Sequence, residues 1–256
     1  MSALPPPPLP AAPSLALFLD IDGTLVEFAD RPDGVRVPKP AITALAHLQR
    51  RLGGALAVLS GRELAAADRL LAPLQLPAGA LHGLQRRAVD GTLTTTAPPP
   101  LVAGRVDAAC RAGAAALDGV FVEAKAGIGF ALHYRGAPAQ AEAVRALAAE
   151  IAATADGHYL VQHGDCVAEL KPVGQDKGSA LAALMQTSPF RGRVPMMIGD
   201  DLTDEPAFVA ARELGGHAVI VGGRRPTVAT HALASPTAVR AWLAAMATAR
   251  GSGVPA

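Results

Sequence analysis

Residues 15–22 constrain this chain more than any other stretch. Leu-Ala-Leu-Phe-Leu runs unbroken into Asp-Ile-Asp, and a Gly-Thr pair follows at once. A run that is apolar at every position lacks the alternation of a half-exposed strand. It predicts a strand covered on both faces, as in a parallel sheet sandwiched by helices. Such a strand has no reason to end in two carboxylates unless something meets them there, because an uncompensated buried charge is costly. Positions i and i+2 of a strand point the same way. Asp20 and Asp22 therefore face one crevice at the carboxyl end of a strand, where open α/β sheets place their ligands. An ordinary Asp-Gly turn would account for Asp22 and leave Asp20 unexplained.

The surrounding pattern extends that strand into a fold. Residues 41–54 have helical spacing closed by Gly53-Gly54, residues 55–60 (ALAVLS) form a second apolar strand, and residues 61–74 are helical again. Strands and helices alternating through short connections predict an α/β fold, a Rossmann-like core with a parallel sheet and right-handed crossovers. The texture changes after residue 93. TTTAPPP (94–100) is a candidate linker, and two helices then interleave with about four strands paired as hairpins, over 119–135 and 159–172. From residue 176 the α/β alternation resumes through DKGSALAALM, VPMMIGDD, EPAFVAARELGG and HAVIVG. The expected organisation is a disordered Pro-rich tail over 1–14, a core of 15–100 and 172–256, and an inserted α+β domain over 101–171. The last residues, GSGVPA, read as a frayed end.

Charge and composition narrow the partners. A net charge of +1 and only 4% aromatic residues speak against nucleic acid and anionic membranes. No apolar run is long enough to span a bilayer, and the N-terminal prolines cannot form a signal helix. Cys110 and Cys166 cannot build a disulfide framework, so a reducing cytoplasm is the expected compartment.

A second acidic cluster follows another apolar strand. Asp200, Asp201, Asp204 and Glu205 lie within six residues and repel one another unless a cation sits among them. Hard oxygen ligands suit Mg²⁺, which keeps waters for a phosphate substrate. The alternative is a solvated helix start, where acids favour the dipole and Pro206 is at home. Ser60 ends a strand and Gly61 opens a helix, which is either an N-cap or an anion site. Lys177 also precedes a helix and would supply positive charge to a phosphate. Glu123 and Lys125 share a strand face, and Glu169 lies near the end of the second strand pair. Together they suit sugar hydroxyls or form a cross-strand salt bridge. His47, His158, His163, His217 and His231 show no metal-ligand spacing.

The order Asp-x-Asp, Ser, Lys, Asp-Asp-x-x-Asp resembles the four motifs of the haloacid dehalogenase (HAD) superfamily of phosphohydrolases. The inserted module looks like that superfamily's C2-type cap. SGR, His82-Gly83, VEAKAGIGFALHYR, AELKP with DKG, and GDDLTDE are together similar to the trehalose-6-phosphate phosphatases. The resemblance implies a Mg²⁺-dependent phosphatase acting on trehalose 6-phosphate through an aspartyl phosphate. It makes Asp20 the nucleophile and Asp22 the general acid and base. Mg²⁺ would be held by Asp20, the Asp22 carbonyl and Asp200, supported by Asp204 and Asp201. Ser60, Gly61 and Lys177 would hold phosphate, and Glu123, Lys125, Glu169, Arg62 and His82 would meet the sugar. His133, Tyr134 and Arg135 are either contacts or supports of the cap. A trehalose-phosphate synthase is the implied functional partner. The alternatives are a phosphatase of sucrose phosphate or a mannosyl phosphoester, and a non-catalytic sugar-phosphate sensor.

Overall fold

The computed structural model describes residues 4–9, 14–27, 35–164 and 166–249, and the expected frayed end at 251–256 lies outside them. The chain divides into two compact units, Met1–Thr95 with Gln175–Ala256, and Thr96–Gly174. These bounds lie a few residues outside those expected from the linker and strand patterns.

The first unit begins with β1 (Leu15–Leu19), α1 (Lys39–Arg51), β2 (Leu56–Leu59), α2 (Leu64–Leu71), β3 (Ala78–Ala80), β4 (Gln85–Arg87) and β5 (Leu93–Thr95). The second contains α3 (Pro100–Ala115), β6 (Phe121–Lys125), β7 (Gly129–His133), α4 (Ala141–Ala153), β8 (Tyr159–Gly164) and β9 (Val167–Pro172). The chain then returns to the first through α5 (Lys177–Met185), β10 (Val194–Gly199), α6 (Glu205–Glu213), β11 (His217–Val221), β12 (His231–Leu233) and α7 (Pro236–Thr248).

The first unit is an eight-stranded sheet in the order β12-β11-β10-β1-β2-β3-β4-β5, in which only β4 runs against the others, so that its pairings with β3 and β5 are antiparallel. Every residue of β1 is fully buried, as its unbroken apolar run requires. Truncating one of its leucines to alanine should cost about 2–5 kcal/mol. From β1 the chain crosses to β2 on one side, while β10 lies on the other. That reversal opens a crevice beyond the strand ends. The antiparallel β4–β5 extension, β12 and α7 were not anticipated. Their strands are three residues long, too short to show a period.

The expected disorder of the N-terminal tail does not extend to residues 4–9. Leu4 packs against the core, Pro7 is buried, and the Pro5 carbonyl accepts from Ala232 N–H at 2.9 Å. Prolines preset an extended backbone and still offer carbonyls, so a Pro-rich segment can lie against the outer strand β12. Residues 1–3 and 10–13 of that tail lie outside the described residues.

The second unit is a four-stranded antiparallel sheet, β6-β7-β9-β8, with two helices. Phe130, Leu132, Ala168 and Leu170 point to the side of α3 and α4 and join Val106, Cys110, Val144 and Ala148 in a separate core. The alternate residues face the other way. Register places Glu123, Ala131, Glu169 and Gln162 in one row across all four strands.

Candidate active site

Asp20 stands one residue past β1, where its N–H still bonds the Ile198 carbonyl of β10 at 2.9 Å. The chain then turns sharply, with Gly23 N–H bonded to the Val26 carbonyl at 2.8 Å. Gly23 has φ +76°, and a Cβ there would lie 2.1 Å from an Asp200 carboxylate oxygen. Only glycine satisfies both conditions, so the residue after Asp22 is also the seat of Asp200.

Lys177 organises the floor. Its ammonium donates to Asp20 Oδ1 at 2.8 Å and to Asp204 Oδ1 at 2.7 Å, and all three side chains are at most 5% exposed. The lysine is placed by the start of α5. Asp176 caps the helix by accepting from Ser179 N–H at 2.7 Å, and the Asp176 N–H returns a bond to Ser179 Oγ at 2.9 Å. This reciprocal capping box fixes the first turn and with it Lys177. Burial pulls the lysine toward its neutral form, but attraction to Asp20 and Asp204 overcomes it and holds the ammonium above its usual range.

Asp204 is fully committed. Its second oxygen accepts from the N–H groups of Asp200 and Asp201, both at 3.0 Å. Gly199 makes room, since a Cβ there would meet the Asp204 carboxyl carbon at 2.3 Å. Asp201 is itself exposed and contributes through its backbone. Glu205 turns away to Arg224 and the Val228 N–H.

The carboxylates form a cluster that fits a small divalent cation. One oxygen each from Asp20, Asp200 and Asp204 lie within 4.8 Å of one another. Burial first, then the opposing charges of Asp204 and Asp200, raise Asp20 well above the carboxylate range even with Lys177 beside it. Asp200 is pushed up to about 7 by burial and by Asp204, although Thr24 Oγ1 donates to it at 3.2 Å. With all four carboxylates ionised, Asp20, Asp22, Asp200 and Asp204 stand against Lys177 and Arg62 with two negative charges in excess, a repulsion that holds Asp20 and Asp200 toward their protonated forms and that a cation would relieve. Hard oxygen donors with that deficit match Mg²⁺. Because Asp204 is already bonded through both oxygens, the carboxylates that would hold the ion are those of Asp20 and Asp200.

Ser60 is buried at the end of β2, with its N–H on the Gly79 carbonyl at 2.8 Å and its hydroxyl oxygen accepting from Arg62 N–H at 3.1 Å. The His82 ring lies against Gly61, in a short turn where Leu81 and His82 both adopt positive φ. Arg62, expected at the sugar, grips Asp22. Its Nε donates to Oδ2 and its Nη2 to Oδ1, both at 2.6 Å.

In the second unit, Glu123, Lys125 and Glu169 share the face opposite α3 and α4. Lys125 donates to Glu169 across the intervening β7, passing the small residues Ala131 and Gly129. Glu123 Oε2 lies 2.8 Å from His133 Nε2, and the His133 ring stacks on Phe121 at 4.7 Å. Tyr134 is buried in the helix-side core, while Arg135 is exposed.

Sequence reasoning missed Thr24 on Asp200, the capping box behind Lys177 and the fork of Arg62 on Asp22. The capping box left a readable trace in Asp176-x-x-Ser179. The other two did not.

The trehalose-phosphatase family model matches residues 18–237. The trehalose-6-phosphate phosphatase of Escherichia coli K12 is 39% identical over 246 residues, which cover 94% of this chain and 91% of that protein. The probable trehalose-phosphate phosphatase of Sinorhizobium fredii is 40% identical over 233 residues, 91% and 87% of the two chains. Among solved structures, the C-terminal domain of Candida albicans trehalose-6-phosphate phosphatase superposes with a TM-score of 0.79 at 20% identity, over 95% of this chain and 98% of that one. At that identity it bears on the fold alone, which HAD-superfamily phosphatases share.

Proposed function

The chain belongs to the trehalose-phosphatase family, and from that premise we propose that it hydrolyses trehalose 6-phosphate to trehalose and inorganic phosphate. The observation that carries the reading is the placement of Asp20 at the end of β1, fixed by Lys177 and two residues before Asp22. Asp20 attacks phosphorus and forms an aspartyl phosphate as the bond to the sugar oxygen breaks. Asp22 gives its proton to that leaving oxygen, then takes one from the water that hydrolyses the intermediate. Two hydrogens of the Lys177 ammonium lie on Asp20 and Asp204, so the third is left for a phosphoryl oxygen. The Ser60 hydroxyl and Gly61 N–H complete the phosphate cradle at the start of the following turn. Asp20, the Asp22 carbonyl and Asp200 would hold Mg²⁺, which when bound supplies positive charge to the phosphoryl oxygens.

Glu123, Lys125 and Glu169 grip the sugar in this reading, exchanging bonds among themselves for bonds to hydroxyls. Its substrate would come from a trehalose-phosphate synthase in the cytoplasm. Among the described residues no helix is long and apolar enough to cross a membrane.

The test is phosphate release from trehalose 6-phosphate, sucrose 6-phosphate and a mannosyl phosphoester. It is run with Mg²⁺ and with chelator, on the wild type and Asp20→Asn. Metal-dependent turnover favouring trehalose 6-phosphate, reduced by at least ~10³-fold in the variant, is the expected result. Preference for another sugar would discard the substrate, and full activity in Asp20→Asn would discard the nucleophile.

A further inference from the structure

The open face of the second unit's sheet carries more than its charged row. Beside Glu123, Ala131, Glu169 and Gln162 runs a second row, Phe121, His133, Val167 and Gly164, set by the same register. Residues two apart on a strand share a face, so the rows lie about 7 Å from one another. Phe121 is 59% exposed. A single exposed apolar residue needs no explanation, but this one is held in place. Its ring stacks on His133 with centroids 4.7 Å apart and planes inclined by 14°, a favourable aromatic geometry. His133 is fixed in turn by Glu123, whose Oε2 lies 2.8 Å from its Nε2. β6 is the outer strand of the four, so among the described residues no further strand covers the other face of the Phe121 ring.

A fixed aromatic ring beside a row of hydroxyl-binding groups has a definite chemical complement. A pyranose is polar at its rim and apolar on its faces. The rim hydroxyls need donors and acceptors, which Lys125, Glu123 and Glu169 offer. The C–H bonds of the faces carry partial positive charge, and the face of an aromatic ring is negative. In a ring whose hydroxyls are all equatorial, as in glucose, those faces present only hydrogen. An axial hydroxyl would press a polar group against Phe121 without a partner, at a cost.

We propose that Phe121 is a specificity-determining residue, a platform seated on His133 that takes the C–H face of a glucose-type ring whose hydroxyls meet Glu123, Lys125 and Glu169. It rests on the reading of those three residues as the grip on the sugar. It adds to that grip an apolar contact, which charged groups cannot supply.

The test compares kcat/KM for trehalose 6-phosphate and for acetyl phosphate, which has neither a sugar nor an aromatic ring, both with Mg²⁺. The proteins are the wild type, Phe121→Ala, Phe121→Leu, Phe121→Trp and Glu169→Gln. In Phe121→Ala the ratio of trehalose 6-phosphate to acetyl phosphate should fall about tenfold, the upper end of what an aromatic contact is worth. The change should lie in KM rather than kcat, because the contact is made equally before and during the reaction. Tryptophan keeps an aromatic face and should restore most of the ratio, while leucine keeps only apolar bulk and should restore part. An unchanged ratio in Phe121→Ala, an equal fall on both substrates, full recovery by leucine, or tryptophan no better than alanine would overturn the proposal while leaving Glu169 at the sugar. An unchanged ratio in Glu169→Gln would remove the charged row from sugar recognition, and the proposal with it.

Discussion

The two units both carry paired charges on a sheet, and they handle them in opposite ways. In the first, Asp20, Lys177 and Asp204 are almost wholly buried, at the ends of parallel strands and the start of α5. In the second, Glu123, Lys125, Glu169 and His133 lie on a sheet face at intermediate to high exposure. A buried cluster is costly to disturb and holds one geometry. Charges on an open face gain little from one another and are easily exchanged for other partners. The first arrangement suits a nucleophile that must not move. The second suits recognition of a hydroxyl-rich ligand that arrives and leaves.

The largest effect expected from this difference is on stability. Lys177→Met leaves Asp20 and Asp204 facing each other without a cation and should cost about 3–5 kcal/mol in urea unfolding with chelator present. Adding Asp20→Asn in the same chain should recover part of that. Lys125→Met, on the open face, should stay within about 1 kcal/mol of the wild type. Equal losses at the two lysines would break the comparison. The next effect is kinetic: Glu169→Gln should raise KM for trehalose 6-phosphate roughly tenfold, about the worth of one charged hydrogen bond, and change p-nitrophenyl phosphate kinetics far less. A matching loss on both substrates would remove Glu169 from sugar recognition.

The smallest effect sharpens what causes the difference. Glu205 belongs to the first unit but is only partly buried, and it pairs with Arg224. Burial alone would raise it, but bonds from Val228 N–H, Thr227 and Arg224 outweigh that and hold it below the usual carboxylate range. A lowered folded pKa means stability that is present above the unfolded value and lost as pH falls through the folded one. The stability gap between wild type and Glu205→Gln should therefore be constant near neutrality and close below about pH 4. A gap that widens on acidification would contradict the assignment. A gap as large as that of Lys177→Met would show that membership of the unit, not burial, sets the cost.

Much of this arrangement was legible in local patterns. β1 and β10 announce themselves as apolar runs ending in acids, and the shared face of Glu123 and Lys125 follows from strand alternation, while the register that sets Glu169 beside them came from the structure. Lys177 was visible as a cation at a helix start, although the capping box that fixes it was not read. The strands β3, β4, β5 and β12 were not legible, because three residues have no period to read. Residues 4–9 misled for another reason. A proline run looks disordered until an edge strand offers it N–H groups, and Ala232 does so from the far end of the chain.

What the sequence by itself determined is the set of chemical groups and most of the elements that carry them: two carboxylates past one buried strand, an acidic cluster past another, a serine past a third and a lysine at a helix start; the helix expected to open at Gly61 begins only at Leu64, beyond a turn. These depend on neighbours within a few residues, where period and capping act. Only the tertiary structure decided which groups touch. Arg62 reaches Asp22 across 40 residues, Lys177 reaches Asp20 across 157, and Thr24 reaches Asp200 across 176. Those partners are chosen by the order of strands in the sheet, which brings the ends of β1, β2 and β10 side by side. Strand order is settled by packing of the whole core, and no local window contains it.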